Sequence, residues 1–171
     1  MNKSITDFSQ CHARIISQLM KFSGLPGLLD QPTAARAVAV ETLYFFRATV
    51  FKHHTEEERD LFPLMLARAA HDGELETVKA MVLRLTQEHR GMESKWVTLE
   101  PALTKIADGK TVDLDAATVE TLVLDYAAHA SFEEAEFLPL CRTILARTRK
   151  HISASDLSHH LAYAPTVPAR L

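Results

Sequence analysis

Histidine and glutamate one helical turn apart recur at two places in this chain. His54-Thr-Glu-Glu-Glu58 runs on to Leu61-Phe-Pro63, and His129-Ala-Ser-Phe-Glu133 runs on to Phe137-Leu-Pro139. Residues at i and i+4 lie one above the other on a single helix face, so an imidazole and a carboxylate stacked this way can take a metal ion from one side. A lone histidine precedes each unit, His12 before the first and His89 before the second. His12 and His54 are 42 residues apart and His89 and His129 are 40 apart; from His12 to His89 is 77 residues and from His54 to His129 is 75. A two-helix motif used twice would place two metal ions about an approximate twofold axis. The donor types narrow the metal. Imidazole and carboxylate without thiolate suit iron, manganese or zinc, and suit neither calcium nor an iron–sulfur cluster.

The elements that must carry these residues read as helices. Phe8, His12, Ile15, Ile16 and Leu19 follow the helical period over about Asp7 to Phe22, and Gly24, Pro26 and Gly27 break it. Pro32 is placed for the first turn of a second helix carrying Leu43, Phe46, Val50, His54 and Leu61 towards Ala70, with a bend expected between Arg59 and Pro63. A third helix carries Val78, Leu85, His89, Met92, Trp96 and Leu99; it should weaken at Pro101 and end by Asp108-Gly109. A fourth starts after Asp113 or Asp115, carries Val119, Leu122, Tyr126, His129, Glu133 and Phe137, and kinks at Pro139. No strand pattern or linker appears. The fold class is therefore all-α, an up-down-up-down four-helix bundle over residues 1–150. Residues 151–171 add a short C-terminal helix near Ser153–Asp156 and a tail of the same domain.

His12, His54, His89 and His129 each fall on the apolar stripe of a different helix, where an ionisable group is costly unless satisfied. His53 serves as a contrast. Its neighbours at helical spacing are Thr49, Glu56, Glu57 and Asp60, a polar set that predicts a solvent-facing side chain. The same reasoning selects Glu58 over Glu57 and Glu133 over Glu134. Glu93, four residues after His89, is a further candidate ligand on the third helix. Its counterpart four residues after His12 is Ile16, which cannot ligate, so an open coordination position is expected on the His12–His54 side. Glu-x-x-His, the signature of ferritin-like di-iron bundles, does not occur. Tyr126, one turn before His129, is read as core packing with a satisfied hydroxyl, with a donor close to the site or a redox tyrosine as alternatives.

Composition limits the remaining classes. At 171 residues and 47% hydrophobic the chain can build a real core. A net charge of −3 points to neither nucleic acid nor an anionic membrane as a partner. No stretch is apolar enough to span a bilayer, and the first residues lack the apolar core of a signal peptide. Cys11 and Cys141 make no framework. A cytoplasmic location is expected.

Taken jointly, Phe8-Ser-Gln-Cys-His12, Phe51-Lys-His-His54-Thr-Glu-Glu-Glu58-Arg-Asp-Leu-Phe-Pro63, Glu88-His89 with Glu93 and Trp96, and Tyr126-Ala-Ala-His129-Ala-Ser-Phe-Glu133-Glu-Ala-Glu-Phe-Leu-Pro139 resemble the hemerythrin-like family of HHE cation-binding bundles over about residues 5 to 145. That resemblance implies two non-haem iron ions bridged by Glu58 and Glu133, with His12, His54, His89 and His129 as imidazole ligands; manganese or zinc remain open alternatives. The oxygen-carrying members carry a second histidine on helix three, where this chain has Glu93. A set of four His and up to three Glu would favour the ferric state and disfavour reversible oxygen carriage. The leading reading is a protein that binds or senses O2 or a related small molecule such as NO or peroxide, passing its signal to a partner protein. The alternatives are a di-iron redox enzyme of oxidase, peroxidase or NO-reductase type, an iron-binding or storage protein, and a bundle whose histidines hold no metal.

Overall fold

Four long helices make up the structure, a computed structural model that describes residues 5–70 and 73–149. The helix α1 (Ile5–Ser23) ends in a short 3-10 turn at Leu25–Leu28. The second helix, α2 (32–68), begins with Pro32 in its first turn, where a missing N–H is harmless. Gly73, at φ 83°, opens α3 (Glu74–Ala107), and the fourth helix is α4 (116–149). Around the bundle, α1 packs on α2 and α4, and α3 packs on the same two. This is the expected up-down-up-down arrangement, with no strand among the described residues. No helix there is long and apolar enough to cross a membrane. The expected C-terminal helix at 153–156 lies outside the described residues.

The helix ends follow the local sequence. Asp115 caps α4 by accepting from the Thr118 backbone N–H at 3.0 Å and from its hydroxyl at 2.7 Å. Gly109, at φ 78°, supplies the left-handed residue that closes α3, with Lys110 N–H reaching Lys105 O at 2.9 Å. Pro101 does not weaken α3; the helix runs through it to Ala107.

Both α2 and α4 are broken by π-turns. In α2 these are Phe46–Val50 and Glu57–Leu61, and in α4 Glu133–Phe137. The second and third explain the expected kinks. Phe62 N–H bonds Glu57 O and Leu138 N–H bonds Glu133 O, each five residues back. Pro63 and Pro139 come next in the chain. A proline cannot bond the carbonyl four residues back and clashes with it. The wider turn just ahead of each proline relieves that conflict without ending the helix, and π-turns of this kind concentrate at functional sites.

Two apolar clusters fill the bundle. The larger holds Ile15, Leu19, Phe22, Phe46, Trp96, Leu103, Leu122 and Tyr126, with Phe46 stacked on Trp96 at 3.9 Å. The smaller holds Phe8, Phe62, Met65, Leu85, Phe137, Cys141 and Ile144. Between them lies a layer of polar side chains.

Candidate metal centre

The polar layer contains two abutting groups of potential donors. His12, His53, Glu57 and Glu133 form one group; His54, His89 and His129 form the other. Within each group the donor atoms lie within 4.8 Å of one another, and every one of these residues is buried. The two carboxylates reach across both groups. Glu57 puts Oε1 3.3 Å from His53 Nε2 and Oε2 3.4 Å from His89 Nε2. Glu133 Oε2 lies 2.7 Å from His12 Nε2 and 3.6 Å from His129 Nε2. Each group therefore faces both carboxylates.

A metal fits this layer on its own chemistry. The Nε2 atoms of His12, His54, His89 and His129 and both oxygens of Glu133 are buried without a hydrogen bond; the short His12–Glu133 approach is off hydrogen-bond geometry. An unsatisfied buried polar atom costs about 1–3 kcal/mol, so this many orphans converging on one layer call for a common partner. Burial, reinforced by the nearby imidazoles of His54 and His129, pushes His89 far below the ordinary histidine range. Burial likewise lowers His129. Neutral rings of this kind present a lone pair. At His12 burial also acts downward, but the Glu133 and Glu134 carboxylates outweigh it and raise the ring.

Outside the layer, carboxylates fix which ring nitrogen carries the proton. His12 Nδ1 meets Glu134 Oε1 at 2.8 Å, His89 Nδ1 meets Glu58 Oε1 at 2.8 Å, and His129 Nδ1 meets Glu88 Oε2 at 2.9 Å. His54 Nδ1 faces Glu93 Oε1 at a longer 3.4 Å. An imidazole that donates through Nδ1 turns the lone pair of Nε2 inward, and such outer carboxylates commonly orient metal-binding histidines.

The structure brings together His12, His54, His89, His129 and Glu133, as their stripe positions predict, and corrects the rest. His53 is not solvent-facing; it is 1% exposed and packs edge-on against His12 at 4.7 Å between ring centres. Glu57, not Glu58, occupies the inner position of α2. Glu58 is 24% exposed and its carboxylate holds His89 and Arg90 from outside. Glu93 is 27% exposed and likewise outside, on His54 and Arg90. His54 does not pair with His12; it stacks on His89 at 3.9 Å between ring centres. Ile16, expected to face an open coordination position, packs against the larger core cluster. The inward-facing potential donors are thus five His and two Glu, with Glu93 outside them.

The physical reason is that helix α2 buries a face two residues wide, because it lies between α1 and α3. His53 turns towards His12 and His54 towards His89. Polarity at helical spacing could not tell a solvent face from a ligand face, since Glu57, counted as a polar neighbour, is itself an inner donor. Pro63 and Pro139 carried the missing signal. His53 stands ten residues before Pro63 and Glu57 six before it; His129 and Glu133 stand at the same distances before Pro139. Aligned on the prolines, the two halves select His53 and Glu57.

A helical bundle with a buried imidazole–carboxylate layer across its middle defines a metal-binding class. The hemerythrin HHE cation binding domain matches residues 3–141, and the chain belongs to that family. It is 25% identical over 160 residues, 90% of each chain, to a protein of Haemophilus influenzae described as uncharacterized. No solved structure matches it.

Proposed function

We propose that this chain is a non-haem di-iron protein that binds or senses a small molecule such as O2, NO or peroxide. The observation that carries the reading is the pair of buried donor groups sharing Glu57 and Glu133. His12 and His53 would hold one ion and His54, His89 and His129 the other, with both carboxylates between them. Iron bound there supplies redox capacity and a coordination position for a small ligand. Counting donors, the His12–His53 side has one imidazole fewer, so the exchangeable position belongs there.

The protein's own contribution is to hold the rings in one tautomer, keep the layer dry between two apolar clusters, and enforce the asymmetry between its halves. The donor count of five imidazoles and two carboxylates favours reversible ligand binding over storage. The protein's signal would pass to a partner protein in the cytoplasm. The test is elemental analysis of protein loaded anaerobically with ferrous iron, followed by optical spectra on exposure to O2 or NO. Two iron ions per chain and a ligand-dependent spectrum are expected. One ion per chain at saturation would overturn the dinuclear reading, and two ions with no spectral response would overturn small-ligand binding.

A further inference from the structure

The two halves of the site are not equally supported from outside. Matching His12 to His89 and His53 to His129 also pairs Glu57 with Glu133 and Glu58 with Glu134. The outer contacts obey this pairing: Glu58 holds His89 as Glu134 holds His12. Four residues have no chemical counterpart, and one of them, Glu88 on His129, corresponds to Cys11 and stands apart from the other three. His54 corresponds to Ala130, Glu93 to Ile16, and Arg90 to Ala13. These three are in contact. Arg90 Nη1 donates to Glu93 Oε2 at 2.6 Å, Glu93 Oε1 faces His54 Nδ1, and Arg90 Nη2 donates to Glu58 Oε2. Glu58 in turn holds His89, which stacks on His54 with an angle of 6° between the rings. The contacts close a ring: Arg90, Glu58, His89, His54, Glu93 and back to Arg90.

Resting on the dinuclear reading above, we propose that Arg90 is a positioning residue that, through Glu58 and Glu93, locks His89 and His54 in the orientation that retains the metal ion of the three-imidazole group. A planar guanidinium holds two carboxylates in a rigid fork, whereas an ammonium, despite its three donors, is a point charge on a flexible stem that does not fix their geometry. The two carboxylates lie on different helices, α2 and α3, so the fork also fixes those helices against each other at the site. The His54–Glu93 contact, at 3.4 Å, is the longest of the four outer contacts and depends most on a second anchor for Glu93. The location matters as well. His54, Thr55, Glu58, Arg59, Arg90 and Glu93 line an open cleft of about 290 Å³. Of the three-imidazole group only His54 borders this cleft, and the Arg90 clamp forms part of its wall. On the other side His12 is secured by Glu134, which accepts from Ser9 rather than from a cation.

The inference is tested by loading the full chain with ferrous iron under anaerobic conditions and following its transfer to an excess of a coloured ferrous chelator. Arg90→Ala should speed the release of one iron equivalent about tenfold to a hundredfold, the usual penalty for losing an outer partner of a metal-bound histidine, and leave the other unchanged. Glu134→Gln should speed the other equivalent instead. Arg90→Lys should behave like Arg90→Ala, because it keeps the charge but cannot fork. Full recovery by lysine would show that charge alone suffices and overturn the positioning role. Equal acceleration of both equivalents together with a lowered metal-free melting temperature would assign Arg90 to general bundle stability and overturn the inference. An unchanged release profile in Arg90→Ala would overturn it while leaving the dinuclear reading intact. Fewer than two iron ions in the unaltered protein would overturn both.

Discussion

Glu57→Gln and Glu58→Gln change adjacent residues by the same single group, and the structure assigns them different fates. Glu57 is 0% exposed and its two oxygens lie 3.3 and 3.4 Å from imidazoles of different donor groups. Glutamine keeps the volume, but it replaces one bridging oxygen by an NH2 that cannot ligate and removes the charge from both positions. Glu58 touches His89 Nδ1 and Arg90 from outside. Its loss should weaken metal binding about 10–100-fold. With free metal at about 1,000 times Kd, one bound ion stabilises the fold by about 4.1 kcal/mol. For a domain of this size that corresponds to a rise of roughly 8–16 °C in melting temperature, at about 2–4 °C per kcal/mol. A 10–100-fold weaker site at the same free metal retains about 1.4–2.7 kcal/mol, roughly one-third to two-thirds of the rise. Glu58→Gln should therefore keep an intermediate metal-dependent shift in a thermal melt, and Glu57→Gln should lose most of it. The reverse order, with Glu57→Gln melting like the unaltered protein and Glu58→Gln insensitive to metal, would refute the assignment of the inner face of α2.

Four further outcomes are expected. His53→Ala and His54→Ala should both lower the metal content found by elemental analysis, each stripping a different ion, whereas a solvent-facing His53 would leave it unchanged. Tyr126→Phe should raise the melting temperature of the metal-free protein, because the fully buried Tyr126 hydroxyl has no hydrogen bond, a situation that costs about 1–3 kcal/mol; a lowered melting temperature would show a partner for it. Ala130→His should abolish azide or NO difference spectra at unchanged iron content, by supplying the His12–His53 side with the imidazole it lacks. Cys141, fully buried and pushed up to about 12 by that burial, should resist alkylation at pH 8 until the bundle unfolds, as read by peptide mapping.

Helix number, order and joints were legible in the sequence because apolar period, Pro32, Gly109 and Asp115 are local signals acting on local structure. Four of the five inner histidines were legible for a related reason: each falls on an otherwise mostly apolar stripe, where an ionisable group is costly unless satisfied. Pro101 misled, since a proline in a long helix held on both sides need not end it. The second helix hid its chemistry because it presents a doublet. His53–Glu57 and His54–Glu58 have the same i, i+4 spacing, so periodicity selects neither. The π-turn at Phe46–Val50 adds to the difficulty by resetting the rotation of the helix just ahead of the histidines, a shift that extrapolating a 3.6-residue period from Leu43 cannot follow.

The approximate repeat also supports two unlike groups of potential donors. The proline alignment makes His12 and His53 equivalent to His89 and His129, and Glu57 equivalent to Glu133. On those residues alone the two cation positions would be matched, each with two imidazoles and a share of both carboxylates. Among the inward-facing residues one difference breaks the match: His54 stands where the other half has Ala130, itself buried in the larger core cluster. An additional buried imidazole needs an outer partner to fix its proton, and Glu93 serves, where the other half has Ile16. A carboxylate reaching that far needs an anchor, and Arg90 serves, where the other half has Ala13. Each polar residue thus makes the next one necessary, and each counterpart is apolar because nothing there requires a partner. His54, Glu93 and Arg90 should therefore behave as one unit: removing His54 would leave Glu93 and Arg90 with no site-directed role, and their further substitution would add little to the metal already lost.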